Sequence, residues 1–135
     1  MNNLTPEQLD MIKRLQPLFR EKMGEWQKGD SYYVPNPHKR EDIKPLYYFG
    51  CGTYWGIEFK DVPINAIRIP KPIDWQNPKR GCWMMVDWSY ASIENMSDGS
   101  VEIYINRTHE DEKPIFIKAD PFTALLMALC SQEGV

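Results

Sequence analysis

Several residues of the sequence have side chains suited to catalysis, but their spacing matches no catalytic or metal-ligand pattern. His38 and His109 lie in polar, turn-like segments, whereas a metal site or a nucleophilic triad needs several converging groups. Cys51, Cys82 and Cys130 are widely spaced and form no Cys-x-x-Cys pair. We therefore expect surface histidines, reduced thiols and no metal or cofactor. An enzyme that uses His38 or His109 as its acid–base group stays the alternative.

A glycine-rich segment, GCGTYWG at residues 50–56, has the composition of a loop that binds phosphate. It lacks the following Gly-Lys-Ser/Thr, and no helical periodicity begins after it. The pattern predicts a turn between two strands. A ligand loop lined by Tyr54 and Trp55 is the alternative.

The middle of the chain combines aromatic with basic residues, which is typical of surfaces that bind a nucleotide, a short single strand or an acidic protein. Residues 28–80 carry nine Lys or Arg against six acids. The predicted binding residues are Arg40, Tyr47, Tyr54, Trp55, Arg68 and Arg80. Lys39, Tyr48, Lys79 and Trp83 would extend the same surface. The alternative is a core filled by these aromatics, with the basic residues pointing outward.

The composition indicates one globular domain. The chain has 135 residues, of which 42% are hydrophobic and 26% charged, and the aromatic share is 13%. A net charge of −3 and a pI near 5.4 disfavour binding to double-stranded nucleic acid. The amino terminus lacks a secretory pattern, and no apolar run approaches the length of a membrane span. We expect a cytoplasmic protein that does not bind membranes.

The first element is an amphipathic helix with a well-marked start. Thr5 and Pro6 supply an N-cap and a first-turn proline, and Gln8 completes a capping box. Apolar residues then recur every three or four positions, up to a helix end at Gly24. Because Pro17 removes a backbone hydrogen bond within this stretch, we expect a kink or break near it.

Short strands are predicted after this helix. Most of the eleven prolines lie between residues 35 and 78, which disfavours long helices. Runs rich in aromatic and β-branched residues predict a small irregular sheet, and they are SYYV, PLYYF, WGIEF and INAIRI. The exception is NPKRGCWMMVDW at residues 77–88, where we expect a short helical turn.

A three-stranded meander is predicted next. Val101, Ile103 and Ile105 alternate with polar residues, and SDGS at residues 97–100 supplies a hairpin turn. PIFIKA at residues 114–119 is the third strand. The fold class that follows is α+β, with a small antiparallel sheet, an amino-terminal amphipathic helix and a buried carboxy-terminal helix.

The closing helix is apolar on more than one face. Asp120 can act as N-cap, Pro121 fits the first turn, and Gly134 can end the helix. A helix that is apolar all round is normally buried, so we expect it in the core. A partner interface is the alternative.

Two segments carry a resemblance to a group of proteins. The ending KADPFTALLMALCSQEGV and the beginning LTPEQLDMIKRLQPLFREKMGEWQKGD resemble the ends of small uncharacterised proteins encoded by tailed phages and prophages. The matching residues are Trp26, Gly29 and Asp30 at the front and residues 124–135 at the back, in segments that cover about a third of the chain.

This resemblance implies a mobile-element origin and a non-enzymatic accessory protein that sequesters or inhibits a host component. The partner would be a host protein or a small nucleotide-like ligand in the host cytoplasm. One alternative is a nucleotide-binding protein or enzyme of phage nucleic-acid metabolism. The other is a virion or assembly component that oligomerises through the closing helix. The oligomeric state itself does not follow from the sequence.

Overall fold

The protein has an α+β fold. A computed structural model describes residues 4–27, 29–34, 46–50, 66–106 and 113–135, which form four α-helices and two three-stranded antiparallel sheets. The chain divides into two compact units, unit 1 (Met1–Pro70) and unit 2 (Lys71–Val135). Each unit has its own sheet and helices. The division into units does not test the prediction of a single domain, which stays a prediction.

Unit 1 begins with a capped helix, α1 (Pro6–Arg14). The Thr5 hydroxyl accepts the Gln8 backbone N–H at 3.0 Å, and the Gln8 side chain accepts the Thr5 N–H at 3.0 Å. This reciprocal pair satisfies two of the donors that the first turn of a helix leaves without intrahelical partners. The predicted capping box is therefore confirmed.

The predicted break in the first helix is also confirmed. Leu15 has φ −90° and ψ 3° and separates α1 from α2 (Gln16–Met23). Pro17 sits in the first turn of α2, where its missing N–H costs no intrahelical bond. Gly24 ends α2 with a φ of 71°, as predicted, and Trp26 lies beyond the helix.

The sheet of unit 1 contains β1 (Gly29–Val34), β2 (Leu46–Gly50) and β3 (Ile67–Ile69) in the order β2-β1-β3. These strands confirm three of the four predicted runs in whole or in part, and the fourth, WGIEF, lies outside the described residues. Both helices pack against β3, and Ile12, Phe19 and Leu15 are buried there to 1% exposure or less.

Near its start, unit 2 has two short helical elements within residues 77–88, where one short helical turn was predicted. A 3-10 helix (Pro78–Arg80) leads into α3 (Cys82–Met85). The predicted meander follows as β4 (Ala91–Asn95), β5 (Val101–Ile105) and β6 (Ile115–Ala119) in the order β4-β5-β6. Gly99 supplies the positive φ, 88°, in the turn between β4 and β5.

The closing helix α4 (Pro121–Glu133) lies in the core of unit 2. The Asp120 carboxylate caps it by accepting the Thr123 N–H at 3.1 Å, and Gly134 ends it in the left-handed region. The helix packs on α3, β5 and β6, and Leu125, Leu126 and Leu129 are at most 1% exposed. The expectation of a core helix is confirmed.

Across the described ranges, the structure contains no helix with both the length and the hydropathy that a bilayer crossing requires.

Candidate functional site

Most of the predicted binding residues fall where the structure gives no account of their side chains. Arg40, Tyr54 and Trp55 lie outside the described residues, as do both histidines and Cys51. Tyr47 is on β2, where its backbone is opposite Tyr33 of β1. For these residues, the binding role stays a prediction.

Arg68 is described in full, and it lies inside unit 1. It is 4% exposed, and its guanidinium lies 4.2 Å from the ring centre of Trp26. One of its terminal nitrogens donates to the Gly24 carbonyl oxygen at 2.7 Å, and Trp26 in turn meets Tyr32 edge to face at 5.6 Å. This cation–π contact holds the segment that follows α2 against β3. In this position Arg68 serves the packing of unit 1.

Arg80 is also buried, at 5% exposure. Its backbone takes part in a local pairing, since its N–H donates to the Asn77 carbonyl oxygen at 2.9 Å and its own carbonyl oxygen accepts the Lys71 N–H at 3.2 Å. Its neighbour Lys79 is exposed. The structure therefore brings neither Arg68 nor Arg80 to an open surface.

Instead, the described residues expose a cluster of three tryptophans on unit 2. The Trp83 ring lies 4.6 Å from Trp88 and 6.5 Å from Trp75, measured between ring centres. Trp75 is 75% exposed, whereas Trp83 and Trp88 are half-buried. Met84, on α3, adds a side chain that is 58% exposed. We call these four residues the tryptophan surface.

Backbone pairing between two distant segments builds this surface. The Cys82 N–H donates to the Lys71 carbonyl oxygen at 2.8 Å, and the Trp83 N–H donates to the Pro72 carbonyl oxygen at 3.0 Å. The residue before Cys82 must be a glycine, because a Cβ at Gly81 would lie 2.8 Å from the backbone nitrogen of Asp74. The pairing brings the segment that carries Trp75 next to α3.

Asp74 shapes the loop on which Trp75 lies. Its carboxylate accepts the backbone N–H groups of Asn77 at 3.0 Å and Gln76 at 3.1 Å, and Lys71 lies 3.5 Å away. These interactions favour the charged form, chiefly the Asn77 hydrogen bond, and hold the pKa of Asp74 below its usual value. The loop therefore has a fixed local turn under its exposed tryptophan.

The arrangement of Trp83 and Trp88 is fixed by a hydrogen bond as well. The Trp88 indole nitrogen donates to the Trp83 carbonyl oxygen at 2.8 Å. Because the indole N–H is the only donor of the Trp88 side chain and is already bonded, the rest of the side chain offers apolar ring surface. Exposed large apolar side chains grouped in this way are typical of interaction sites.

Unit 2 contains a cavity of about 190 Å³, and one of its lining residues, Asp87, directly precedes Trp88 in the sequence. We call it the unit 2 pocket. Its apolar lining includes Val86, Ile105, Ile115 and Ala128. Its polar lining includes Asp87, Ser131 and Gln132, and the pocket opens to solvent.

Hydrogen bonds from α4 to the end of α3 and to Asp87 hold one wall of this pocket. The Gln132 side chain accepts the Asp87 N–H at 2.7 Å and donates to the Met85 carbonyl oxygen at 2.9 Å. The Asp87 carboxylate accepts the Ser89 N–H at 3.0 Å and is exposed. An exposed acidic residue therefore forms part of this wall.

Cys82 lies directly before Trp83 in the chain, and its side chain is fully buried. Complete burial raises the pKa of Cys82, which keeps its thiol protonated and unreactive. Within the described ranges, no three His, Cys, Asp or Glu side chains converge as metal ligands.

The sequence analysis missed Trp75 and Trp88. Their signal was the concentration of tryptophan, since three of the five tryptophans of the chain lie between residues 75 and 88. Trp83 was included because basic residues precede it, whereas the actual neighbours of Trp83 are the two other tryptophans.

Comparisons of the chain with protein-family models, with curated proteins and with solved structures find no match.

Proposed function

We propose that this is a binding protein that engages a partner macromolecule through the tryptophan surface of unit 2. The observation that carries the proposal is Trp75, which is 75% exposed on a loop held by backbone pairing, with its ring 6.5 Å from that of Trp83. Tryptophan is enriched among the residues that dominate binding energies, because a rigid ring buries a large area at a low cost in side-chain entropy.

The fixed geometry of the surface supports the same proposal. Asp74 anchors the Trp75 loop, and Trp88 is bonded to the backbone of α3. A surface that is already ordered loses less conformational entropy on binding than a flexible one. A role in binding therefore explains why the ordered Trp75 is exposed to solvent, where its side chain adds little to the core.

The biological role that we propose comes from the resemblance to phage and prophage proteins, which implies sequestration or inhibition of a host component. The tryptophan surface supports the binding part of that role. The alternative role in nucleotide binding gains no support from the unit 2 pocket, because about 190 Å³ is below the range of roughly 300 to 1,000 Å³ in which small-molecule and cofactor sites usually fall.

The alternative role, a virion or assembly component that oligomerises through the closing helix, gains no support from the position of α4. Its apolar residues Leu125, Leu126 and Leu129 are buried within unit 2, which leaves them unavailable for oligomerisation.

The test is native mass spectrometry of the protein purified gently from bacterial cells, using the natural chain, Trp75→Ala and Phe116→Ala. Phe116 is a matched control, since it is an aromatic side chain of unit 2 with 61% exposure but lies on β6. We expect a stoichiometric partner with the natural chain and with Phe116→Ala, and its loss with Trp75→Ala. Equal retention by all three proteins, or a bare chain in every preparation, would contradict the proposal.

A further inference from the structure

The unit 2 pocket has the size of a site for one side chain. A cavity of about 190 Å³ with walls of Val86, Ile105, Ile115 and Ala128 matches an aliphatic or aromatic side chain of a partner. Pockets of this kind receive the anchor residues that dominate protein–protein binding. The cavity therefore indicates a polypeptide as the occupant.

The charge around the pocket indicates the chemistry of that polypeptide. Asp87, an exposed acidic residue, is among the lining residues, and none of the described lining residues is Lys or Arg. Glu133 adds an exposed carboxylate directly after Gln132 of the wall. Unit 2 as a whole, residues 71–135, carries ten acids against six basic residues. An electrostatic field of this sign attracts cationic segments and repels phosphates.

The tryptophan surface favours the same chemistry. Lys and Arg side chains bind over tryptophan faces, and the planar guanidinium of arginine both stacks on a ring and pairs with a carboxylate. Asp87, which lines the pocket, directly precedes Trp88 of the tryptophan surface in the chain. One extended peptide can therefore meet both features.

We propose that unit 2 binds a basic peptide segment of a partner protein, with one apolar anchor side chain in the unit 2 pocket and cationic side chains against Asp87 and the tryptophan surface. This inference rests on the proposed function and names the class of partner. Single-stranded nucleic acid would also stack on tryptophans, but the excess of acidic residues in unit 2 opposes its phosphates.

The experiment is a selection of displayed random dodecapeptides on the full-length protein, followed by fluorescence-polarisation titrations of the enriched peptides. We expect a consensus with at least one Arg or Lys close to a large apolar residue, and binding that weakens as salt is raised. Fluorescein-labelled oligo(dT) is titrated in parallel, and we expect it to bind at least tenfold more weakly than the enriched peptides.

Two pairs of variants test the contacts. Asp87→Asn keeps the oxygen that accepts the Ser89 N–H but removes the charge, so we expect about tenfold weaker peptide binding. Glu94→Gln removes an exposed charge on β4 and should leave the affinity unchanged. Ser131→Leu fills the pocket from its polar side and should abolish binding, whereas Ser92→Leu, the same substitution at an exposed position of β4 outside the pocket, should retain it. Melting temperatures within a few degrees of the natural chain show that the variants fold.

Three results would overturn the inference. The first is a selection that enriches no peptides or only acidic ones. The second is a peptide affinity that is unchanged by both Asp87→Asn and Ser131→Leu. The third is binding of oligo(dT) that is tighter than binding of the enriched peptides. The proposed function is decided separately by the Trp75→Ala comparison. A partner lost with Trp75→Ala in the absence of a basic consensus would leave the proposed function standing and remove only the peptide chemistry.

Discussion

The side-chain amide of Gln16 pairs with both backbone groups of Arg68. The Gln16 amide oxygen accepts the Arg68 N–H at 2.8 Å, and its nitrogen donates to the Arg68 carbonyl oxygen at 2.8 Å and to the Ile12 carbonyl oxygen at 3.0 Å. Because β3 is an edge strand, this side chain takes the place of a neighbouring strand. It ties the start of α2 to the sheet of unit 1.

Replacement of Gln16 by Ala should therefore destabilise the protein by about 2–3 kcal/mol, since it leaves part-buried backbone groups of β3 and α1 without their partner. Gln16→Glu can still accept the Arg68 N–H but cannot donate when ionised, so it should also lower the free energy of unfolding. Urea denaturation measures both. Lys13→Ala, on the exposed side of α1, is the control and should change stability by less than about 0.5 kcal/mol. A Gln16→Ala protein as stable as this control would show that the pairing contributes nothing.

Gly81→Ala should disturb the tryptophan surface. The added Cβ would lie 2.8 Å from the Asp74 nitrogen, so the backbone pairing that brings Trp75 next to Trp83 must shift. We expect a loss of about 1–3 kcal/mol together with a change in tryptophan fluorescence.

Gly99→Ala is the matched control for this effect. It also replaces a glycine in unit 2, but the strain there comes from a φ of 88° in the β4–β5 turn, with open space around the new Cβ. It should lower stability and leave the tryptophan emission of the folded protein unchanged. An unchanged emission spectrum for Gly81→Ala would contradict the role given to this close approach.

The hydrogen bonds of Ser100 should set the pKa of Asp98. The Ser100 hydroxyl donates to the Asp98 carboxylate at 2.6 Å and the Ser100 N–H donates at 3.0 Å, and these bonds hold the pKa of Asp98 below its usual 3.8. Because the folded-state pKa is the lower one, this interaction stabilises the protein above about pH 3.8 and is lost as the pH falls through the folded-state value.

In Ser100→Ala the side-chain hydrogen bond, which is the largest cause of the shift, is absent, so the pKa of Asp98 should rise toward 3.8. An NMR titration of the side-chain carboxyl carbon measures it. Ser97→Ala, in the same turn, serves as the control and should leave the pKa of Asp98 in place. An identical titration curve in both variants would exclude Ser100 as the cause.

Shortening a buried side chain of the closing helix α4 should destabilise unit 2. Leu126 is fully buried, so Leu126→Ala removes methyl groups and leaves a cavity at a cost of about 3 kcal/mol. Met127, the next residue, is only partly buried, and Met127→Ala should cost clearly less. Chemical denaturation compares the two. Equal costs would mean that Leu126 does not face the core.

The sequence by itself determined the features that depend on residues a few positions apart. The capping box of Thr5 and Gln8, the break at Leu15, the turn at Gly99 and the cap at Asp120 form between near neighbours. Their residue types therefore predict them directly. Alternating and all-apolar patterns likewise identified the meander and the buried helix α4, because burial follows the periodicity of side chains.

Only the tertiary structure decided which residues share a site. Arg68 is buried because Trp26 and Gly24, more than forty positions earlier in the chain, meet its guanidinium. The tryptophan surface depends on pairing between the segment at Lys71 and α3, and the unit 2 pocket depends on a Gln132 side chain that reaches Met85. Such contacts join positions whose separation along the chain carries no local pattern. Composition could therefore suggest exposed aromatic residues, while only the tertiary structure decided which tryptophans lie together.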